Sequence, residues 1–151
     1  MKNIIAEKDN IAREIVRLIN GYERKPCECY YQELLDEPFA LSVSSRAGAP
    51  RVDEDIAGGY VAEFPFSIFF RSSPDDNEEH FACEQFLNEL AVYLVDNSAE
   101  ISLGEGNTLE ELEQTQTATL IERNADRASV YQTTLILRYE HTTKQESQNE
   151  H

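Results

Sequence analysis

The feature that most constrains the fold of this chain is the segment of residues 59–72, GYVAEFPFSIFFRS. Every second position in it carries an apolar side chain, and the set is Ala62, Phe64, Phe66, Ile68 and Phe70. The alternate positions include Glu63, Ser67 and Arg71. This two-residue period predicts a β-strand with one buried face. Because so apolar a face needs a cover, we expect helices on one face of a sheet.

The first predicted helix covers residues 4–20. Its apolar side chains recur at intervals of three and four residues, which is typical of an amphipathic helix with its charged residues outside. The pair Asn20-Gly21 is expected to end it, because Gly adopts the left-handed conformation at a helix C-cap without steric cost.

The second predicted helix covers residues 79–95 and is the expected cover of the sheet. Ser73 is its expected N-cap, with Pro74 at the first helical position and acids near the positive helix end. The apolar side chains assigned to its buried face are Phe81, Cys83, Phe86, Leu87, Leu90, Ala91 and Leu94.

Three further segments have strand patterns, namely residues 39–45, 115–124 and 128–141. The short turn between the last two predicts an antiparallel hairpin. Residues 108–111 (TLEE) fit a capping box for a single helical turn or an acidic loop. Residues 22–36 are assigned mostly to loop, with a short strand at 27–31 as the alternative.

These elements predict one α+β domain over residues 1–141. It has a four-stranded, mainly antiparallel sheet with two helices packed on one face. Residues 142–151 (TTKQESQNEH) contain no apolar side chain and predict a polar C-terminal tail.

The chain is strongly acidic, with 29 Asp and Glu against 13 Lys and Arg and a formal net charge of −16. Such a charge repels phosphate backbones and anionic membranes and disfavours nucleic-acid binding by counterion release. No apolar run has the roughly 18 residues needed to span a bilayer, and the N-terminus does not read as a signal peptide. We therefore expect a protein made in the cytosol that does not enter membranes.

The charge is unevenly distributed along the chain. Eight Lys and Arg residues fall by position 51, whereas none lies between Arg71 and Arg123, where acids are frequent. One interpretation is a solvated acidic face. The other is that copies dock head to tail, basic region against acidic region, as in heterologous rings.

The best candidate for a partner contact is the segment of residues 46–58, RAGAPRVDEDIAG, which is expected to be a long exposed loop or a hairpin tip. Long structureless loops in compact domains are usually functional or disordered. Its candidate interface residues are Arg46, Arg51, Asp53, Glu54 and Asp55. The three acids lack the spacing of a calcium loop, which favours a solvated loop over a cation site.

The sequence contains no constellation typical of catalysis. Cys27, Cys29, His80 and Cys83 are the one set that resembles a zinc site, but a single residue between the first two departs from the usual spacing, which favours reduced, buried thiols. Three His residues and the absence of a G-x-S-x-G elbow leave little for nucleophilic catalysis. We predict a protein without enzymatic activity, metal or cofactor.

The order of elements resembles that of the tail terminator, or tail completion, proteins of long-tailed bacteriophages, some relatives of which are labelled minor capsid proteins. The resemblance rests on the segments YVAEFPFSIFF, LAVYLV and VYQTTLILRYEH and their placement around the second helix. It extends over residues 4–141 and depends on layout rather than on an invariant motif.

The resemblance implies a structural virion protein, assembled in the host cytoplasm. Such proteins form a homo-oligomeric ring, typically of six copies, on the head-proximal end of the tail tube. The ring stops tube growth and joins the tube protein to the head connector, while DNA only passes through the channel. The resemblance also implies that residues 46–58 project toward a neighbour or line the channel.

Two other classes of function stay open at this point. An acidic DNA mimic would block a basic partner protein, with the net charge of −16 as its motivation. A small α+β enzyme or ligand-binding domain would have its pocket between the sheet and Phe81, Phe86 and Leu90.

Overall fold

The computed structural model describes residues 3–37, 39–46, 51–54, 58–124 and 128–142. The elements in chain order are α1 (Asn3–Asn20), β1 (Cys29–Tyr31), β2 (Ala40–Ser45), β3 (Arg51–Glu54), β4 (Tyr60–Ser72), α2 (Asn77–Asp96), a 3₁₀ turn (Ser98–Glu100), β5 (Asn107–Arg123) and β6 (Ser129–His141). Neither helix in these ranges has the length and apolar content that a membrane crossing requires. The predicted tail lies outside the described residues except for Thr142, so its separation from the domain stays a prediction.

The strands form one mixed sheet in the order β1-β2-β4-β6-β5, and β3 pairs separately with the first residues of β4. Among the described strands, only the β1–β2 pair is parallel. The predicted α+β class, the two helices and the mainly antiparallel pairing are confirmed, but the prediction of four strands is wrong. Strand β1 is predicted only as an alternative to a loop, and β3 is missed. Strands of three and four residues are too short for an apolar alternation to be recognised.

Strand β4 is the centre of the sheet, as the sequence predicted. It pairs along its whole length with β6 and shares its other side between β2 and β3. The side chains at its predicted inner positions are almost completely buried, and they are Ala62, Phe64, Phe66, Ile68 and Phe70.

Helices α1 and α2 pack on the same face of the sheet, because their buried side chains join those of the strands in a single core. Helix α1 contacts β1 and β2, whereas α2 contacts β4, β5 and β6. Helix α1 buries a stripe made of Ile11, Ile15, Leu18 and Ile19. Helix α2 buries Cys83, Leu87, Leu90, Ala91 and Leu94.

The start of α2 and the end of α1 are capped by other hydrogen bonds than those predicted. Helix α2 begins after Asp76, whose carboxylate accepts a hydrogen bond from the Glu79 backbone N–H at 2.9 Å. The Asp76-x-x-Glu79 pair is a better cap than Ser73, because Glu79 also accepts from the Asp75 N–H at 2.6 Å. Helix α1 does end at Asn20, but Gly21 does not adopt a left-handed conformation. Its N–H donates instead to the Arg17 and Leu18 carbonyls.

Strand β5 begins at Asn107, so the predicted capping box at residues 108–111 is wrong. Pairing with β6 overrides the local helix signal in this segment, since Thr108 lies opposite Glu140 and Leu109 opposite Tyr139. The preceding turn requires glycine at Gly106, which has φ +84°. A Cβ atom there would come within 2.9 Å of the Thr142 carbonyl oxygen.

Candidate interaction surfaces

The predicted interface segment is only partly a loop. Residues 51–54 form β3, which pairs with β4, so the prediction of a structureless loop is wrong for them. Arg46 is exposed, and its backbone N–H donates to the Pro65 carbonyl at 3.0 Å while its guanidinium reaches Ser67 Oγ at 3.4 Å. The side chains of Arg51, Asp53 and Glu54 and the whole of Asp55 lie outside the described part of the chain, so their contact role stays a prediction.

A polar cluster that the sequence analysis missed lies between α1 and the sheet. Glu7 Oε1 accepts hydrogen bonds from the hydroxyls of Tyr60 at 2.7 Å and Tyr139 at 2.8 Å. Its other oxygen lies 3.5 Å from His141 Nδ1, and that nitrogen lies 2.6 Å from Asn107 Oδ1. The ring of Tyr60 stacks on that of His141 with centroids 4.8 Å apart.

This cluster fastens α1 to β4 and β6. The Glu7 side chain is only 11% exposed, which contradicts the expectation that the charged residues of α1 lie outside. A signal for this placement was present, because Glu7 precedes Ile11 by four residues and therefore continues the apolar row of the helix. Since both Glu7 oxygens are engaged by groups of this chain, the carboxylate acts in cohesion of the fold.

The cysteines and His80, which resemble a zinc site in the sequence, make separate contacts in the structure. His80 Nδ1 makes a short hydrogen bond with the Tyr131 hydroxyl, and Cys83 contacts Ser72 and Tyr131. Burial raises the pKa of the Cys29 thiol to about 12. Within the described ranges, no three His, Cys, Asp or Glu side chains are grouped in a way that would hold a metal ion.

The face of the sheet opposite the helices carries a row of uncharged polar side chains. Ser67 Oγ lies 3.2 Å from Thr134 Oγ1, and Thr134 donates to Gln116 Oε1 at 3.2 Å. Gln132 adds a hydrogen bond to Ser67 at 2.9 Å. We call this surface the open face, and its row of polar groups is satisfied within the chain.

Charges on the open face are paired in its middle and acidic toward β5. Arg138 forms a short ion pair with Glu63, and Arg71 lies 3.9 Å from Asp36. The register places exposed Glu111 opposite Arg138 and exposed Glu113 opposite Ile136, hence on this same face. The β5 side of the open face therefore presents carboxylates to solvent.

The outward side of α2 carries an exposed apolar stripe, which we define as Phe81, Gln85, Val92 and Val95. Phe81 is 65% exposed and Val92 is 53% exposed. The prediction that Phe81 lies on the buried face is wrong, because the helical period from Leu87 back reaches Cys83 and not Phe81. The alternative pocket between the sheet and Phe81, Phe86 and Leu90 is consequently not formed by these three residues.

An open groove lies between α1 and the edge strand β1. It has a volume of about 410 Å³ and is lined by Asp9, Ala12, Arg13, Val16, Arg17 and Tyr31. We call it the α1 groove. Ala12, Val16 and Tyr31 give it an apolar lining, and its charged rim consists of Asp9, Arg13 and Arg17.

The N-terminal third of the chain, which contributes all residues of the groove, is less basic than its number of Lys and Arg residues alone suggests. The first 51 residues hold eight acids as well as eight bases, so the rest of the chain carries all of the net charge of −16. The exposed groups on the groove nevertheless favour positive charge. Arg17 is 54% exposed in its side chain whereas its partner Glu14 is 19% exposed. Hydrogen bonds from Arg17 and the Ser102 N–H lower the pKa of Glu14 and hold it in the fold.

Comparison with solved structures shows a structural likeness. The chain is similar to a chain from the virion of a native gene transfer agent particle, with 15% sequence identity and a TM-score of 0.49, over 88% of this chain and 93% of that chain. At this identity and TM-score the likeness does not establish a shared function. Neither a protein-family model nor a curated protein sequence matches the chain.

Proposed function

We propose that this protein is a structural virion protein of the tail terminator type. In this role, copies of the chain form a ring at the head-proximal end of a phage or phage-derived tail tube. The ring stops the growth of the tube and joins the tube protein to the head connector. It has no catalytic step and needs no cofactor, and DNA only passes through its channel.

The observation that carries the proposal is the order of the elements in a single sheet. A helix, a long central strand, a second helix on the same face and a closing hairpin follow one another, as α1, β4, α2 and β5–β6 do. This is the layout on which the resemblance of the sequence to tail terminator proteins rests. Additional strands at the edge and beside β4 leave that layout intact.

The open face supports the role of a channel wall. Its described arginines make contacts within the chain, and its β5 side presents Glu111 and Glu113. A basic wall would hold DNA through its phosphates, whereas an acidic or neutral wall allows DNA to slide. We therefore assign the open face to the inside of the ring.

The test of this function is the mass and shape of the full-length protein. We expect light scattering over a range of concentration and salt to give a multiple of the 17.2 kDa subunit, and electron microscopy to show rings with a central hole. A monomer at every concentration that instead binds a basic protein in a salt-sensitive manner would overturn the proposal in favour of an acidic DNA mimic.

A second test addresses the segment of residues 46–58. Exchange of Arg46 and Arg51 for Glu should weaken ring or tube assembly, because a cationic contact with an acidic neighbour would become repulsive. The circular dichroism spectrum and thermal unfolding of the doubly substituted protein should match those of the wild type. Unchanged assembly would remove the contact role of this segment and leave the ring itself in place.

A further inference from the structure

We propose that the α2 stripe of one copy docks in the α1 groove of a second copy. This inference rests on the proposed ring and deepens it, because it names the two surfaces that meet between neighbouring subunits. The occupant of the α1 groove is thus another molecule of this same chain. The α2 stripe is the ridge, and the α1 groove is the cleft that receives it.

The positions of the two surfaces suit a head-to-tail contact. The groove lies at the β1 edge of the sheet, while α2 packs over β4, β6 and β5, toward the other edge. When each copy uses a different surface toward each neighbour, one groove and one stripe stay available for further copies. A contact between them is heterologous, and it generates a closed ring when the rotation from copy to copy closes.

The α2 stripe has the character of a surface that a partner covers. Helix α2 already buries one face against the sheet, so its outward side is expected to be polar. Phe81, Val92 and Val95 are nonetheless exposed on one side of the helix, in a row that is completed by Gln85 and by Asn88, which bonds to β5. Single exposed apolar residues are common, but three in one row on a helix are typical of a docking ridge.

The charges around the ridge and the cleft are complementary. Helix α2 contains five acids and no Lys or Arg, and Glu84 lies beside Phe81 and Gln85 on its outward side. The α1 groove carries Arg13, whose side chain is 77% exposed. Arg13 pairs with Asp9 at 2.9 Å, but an ion pair this exposed contributes little and can be exchanged for a carboxylate of the incoming helix.

The apolar side chains of the α1 groove and of the α2 stripe are also suited to each other. The lining of the groove combines the side chains of Ala12 and Val16 with the ring of Tyr31, which is 41% exposed. Tyr is a residue type enriched in interfaces, because its ring buries a large area and its hydroxyl stays hydrated. Val92 and Phe81 are side chains of the size that such a cleft accommodates.

The first experiment compares two matched substitutions in the full-length protein. Val92→Asp places a carboxylate in the middle of the α2 stripe, and Ile121→Asp places one at an apolar position of similar exposure on β5, outside the stripe. We expect Val92→Asp to raise the concentration needed for half-maximal assembly by about tenfold or more, as for loss of a hot-spot residue, and Ile121→Asp to leave it near the wild-type value. Sedimentation velocity measures both.

The second experiment tests the geometry by disulfide formation in a Cys27→Ser background. A mixture of the Val92→Cys and Tyr31→Cys proteins should give a cross-linked dimer under mild oxidation, whereas each protein alone should not. Rings that assemble normally with Val92→Asp and give no Val92–Tyr31 cross-link would overturn this inference and leave the ring function standing. A Val92–Val92 cross-link would also overturn it, since that contact is isologous. A monomer under every condition would overturn both proposals.

Discussion

Helices α1 and α2 cover the same face of the sheet but are attached to it by different chemistry. Helix α1 combines an apolar stripe with a row of polar side chains that are bonded to the rest of the fold. Helix α2 depends mainly on apolar burial and leaves an apolar stripe on its outward side. The difference shows that a row of charged side chains can attach a helix to the rest of the fold. A row of apolar side chains can instead lie exposed on the surface.

The polar row of α1 consists of Glu7, Asn10, Glu14 and Arg17, at intervals of three and four residues. Asn10 donates to the Ser102 carbonyl at 2.8 Å, and Glu14 accepts from the Ser102 N–H at 3.0 Å. Arg17 donates to the Glu100 carbonyl at 3.1 Å. These bonds attach α1 to the segment that follows the 3₁₀ turn, in addition to the contacts of Glu7 with the sheet.

Helix α2 makes polar attachments to the sheet through Asn88 and His80. Asn88 Oδ1 accepts from the Ala118 N–H at 2.8 Å and from the Gln114 side chain at 3.0 Å, and His80 bonds to Tyr131. The remainder of the contact is made by side chains such as Leu87 and Leu90, which are completely buried.

The largest effect is expected from truncation of the buried apolar side chains under the two helices. Leu90→Ala under α2 and Ile15→Ala under α1 should each lower the free energy of unfolding by about 2–5 kcal/mol, because both side chains are completely buried and their truncation leaves a cavity. Urea denaturation measures the change. Phe81→Ala in the exposed stripe is the control. At concentrations at which the protein is monomeric, it should change stability by less than about 0.5 kcal/mol. A loss at Phe81 as large as that at Leu90 would contradict its assignment to the outward surface.

A smaller effect is expected from removal of the polar contacts between α1 and the sheet. Glu7→Ala should lower the free energy of unfolding by about 1–3 kcal/mol, because it removes the charged acceptor that Tyr60 and Tyr139 share. Glu7→Gln keeps an acceptor oxygen and should cost less.

The control for Glu7 is Asp9→Ala on the exposed side of the same helix. Its ion pair with Arg13 is largely solvated, so its removal should cost less than about 1 kcal/mol. Equal losses at Glu7 and Asp9 would show that the polar cluster does not fasten α1 to the sheet.

A third expected effect is a dependence on alkaline pH. Burial raises the pKa of Cys29, below α1, to about 12 and that of Tyr131, below α2, to about 12. Each group stabilises the fold fully below its unfolded pKa, near 8.5 for Cys and 10 for Tyr, and this contribution is lost as pH rises to the folded value. The slope is at most about 1.4 kcal/mol per pH unit for one group.

Unfolding in urea between pH 8 and about 12 measures this dependence. Cys29→Ala should remove the part of the slope that begins near pH 8.5, and Tyr131→Phe the part that begins near pH 10. If neither substitution alters the slope of the unfolding free energy against pH, burial of Cys29 and Tyr131 does not determine how stability changes at alkaline pH.

Strong periodicity made most of the fold predictable. Strand β4, the β5–β6 hairpin and both helices follow from apolar side chains repeated over many residues, which local sequence records directly. Signals that depend on one or two residues were less informative. Ser73-Pro74 is a good helix start in isolation, and Asp76 displaced it because Asp76 and Glu79 satisfy more backbone groups together.

The candidate surfaces were harder to predict than the fold. Sequence alone identified residues 46–58 from composition, but it did not indicate that Glu7 reaches tyrosines more than 50 residues away or that Tyr31 lies beside α1. Such placements depend on how the helices are rotated and positioned on the sheet, which no local pattern specifies.

The sequence by itself determined that this chain is an acidic α+β domain with a central apolar strand and two covering helices, because alternation and helical period report which side of each element is buried. The tertiary structure alone decided the sheet order β1-β2-β4-β6-β5 and the partners of Glu7. It also decided the outward position of Phe81 and Val92. The physical reason is that burial of a face is a local property of an element, whereas the partner of that face is set by the packing of all elements together.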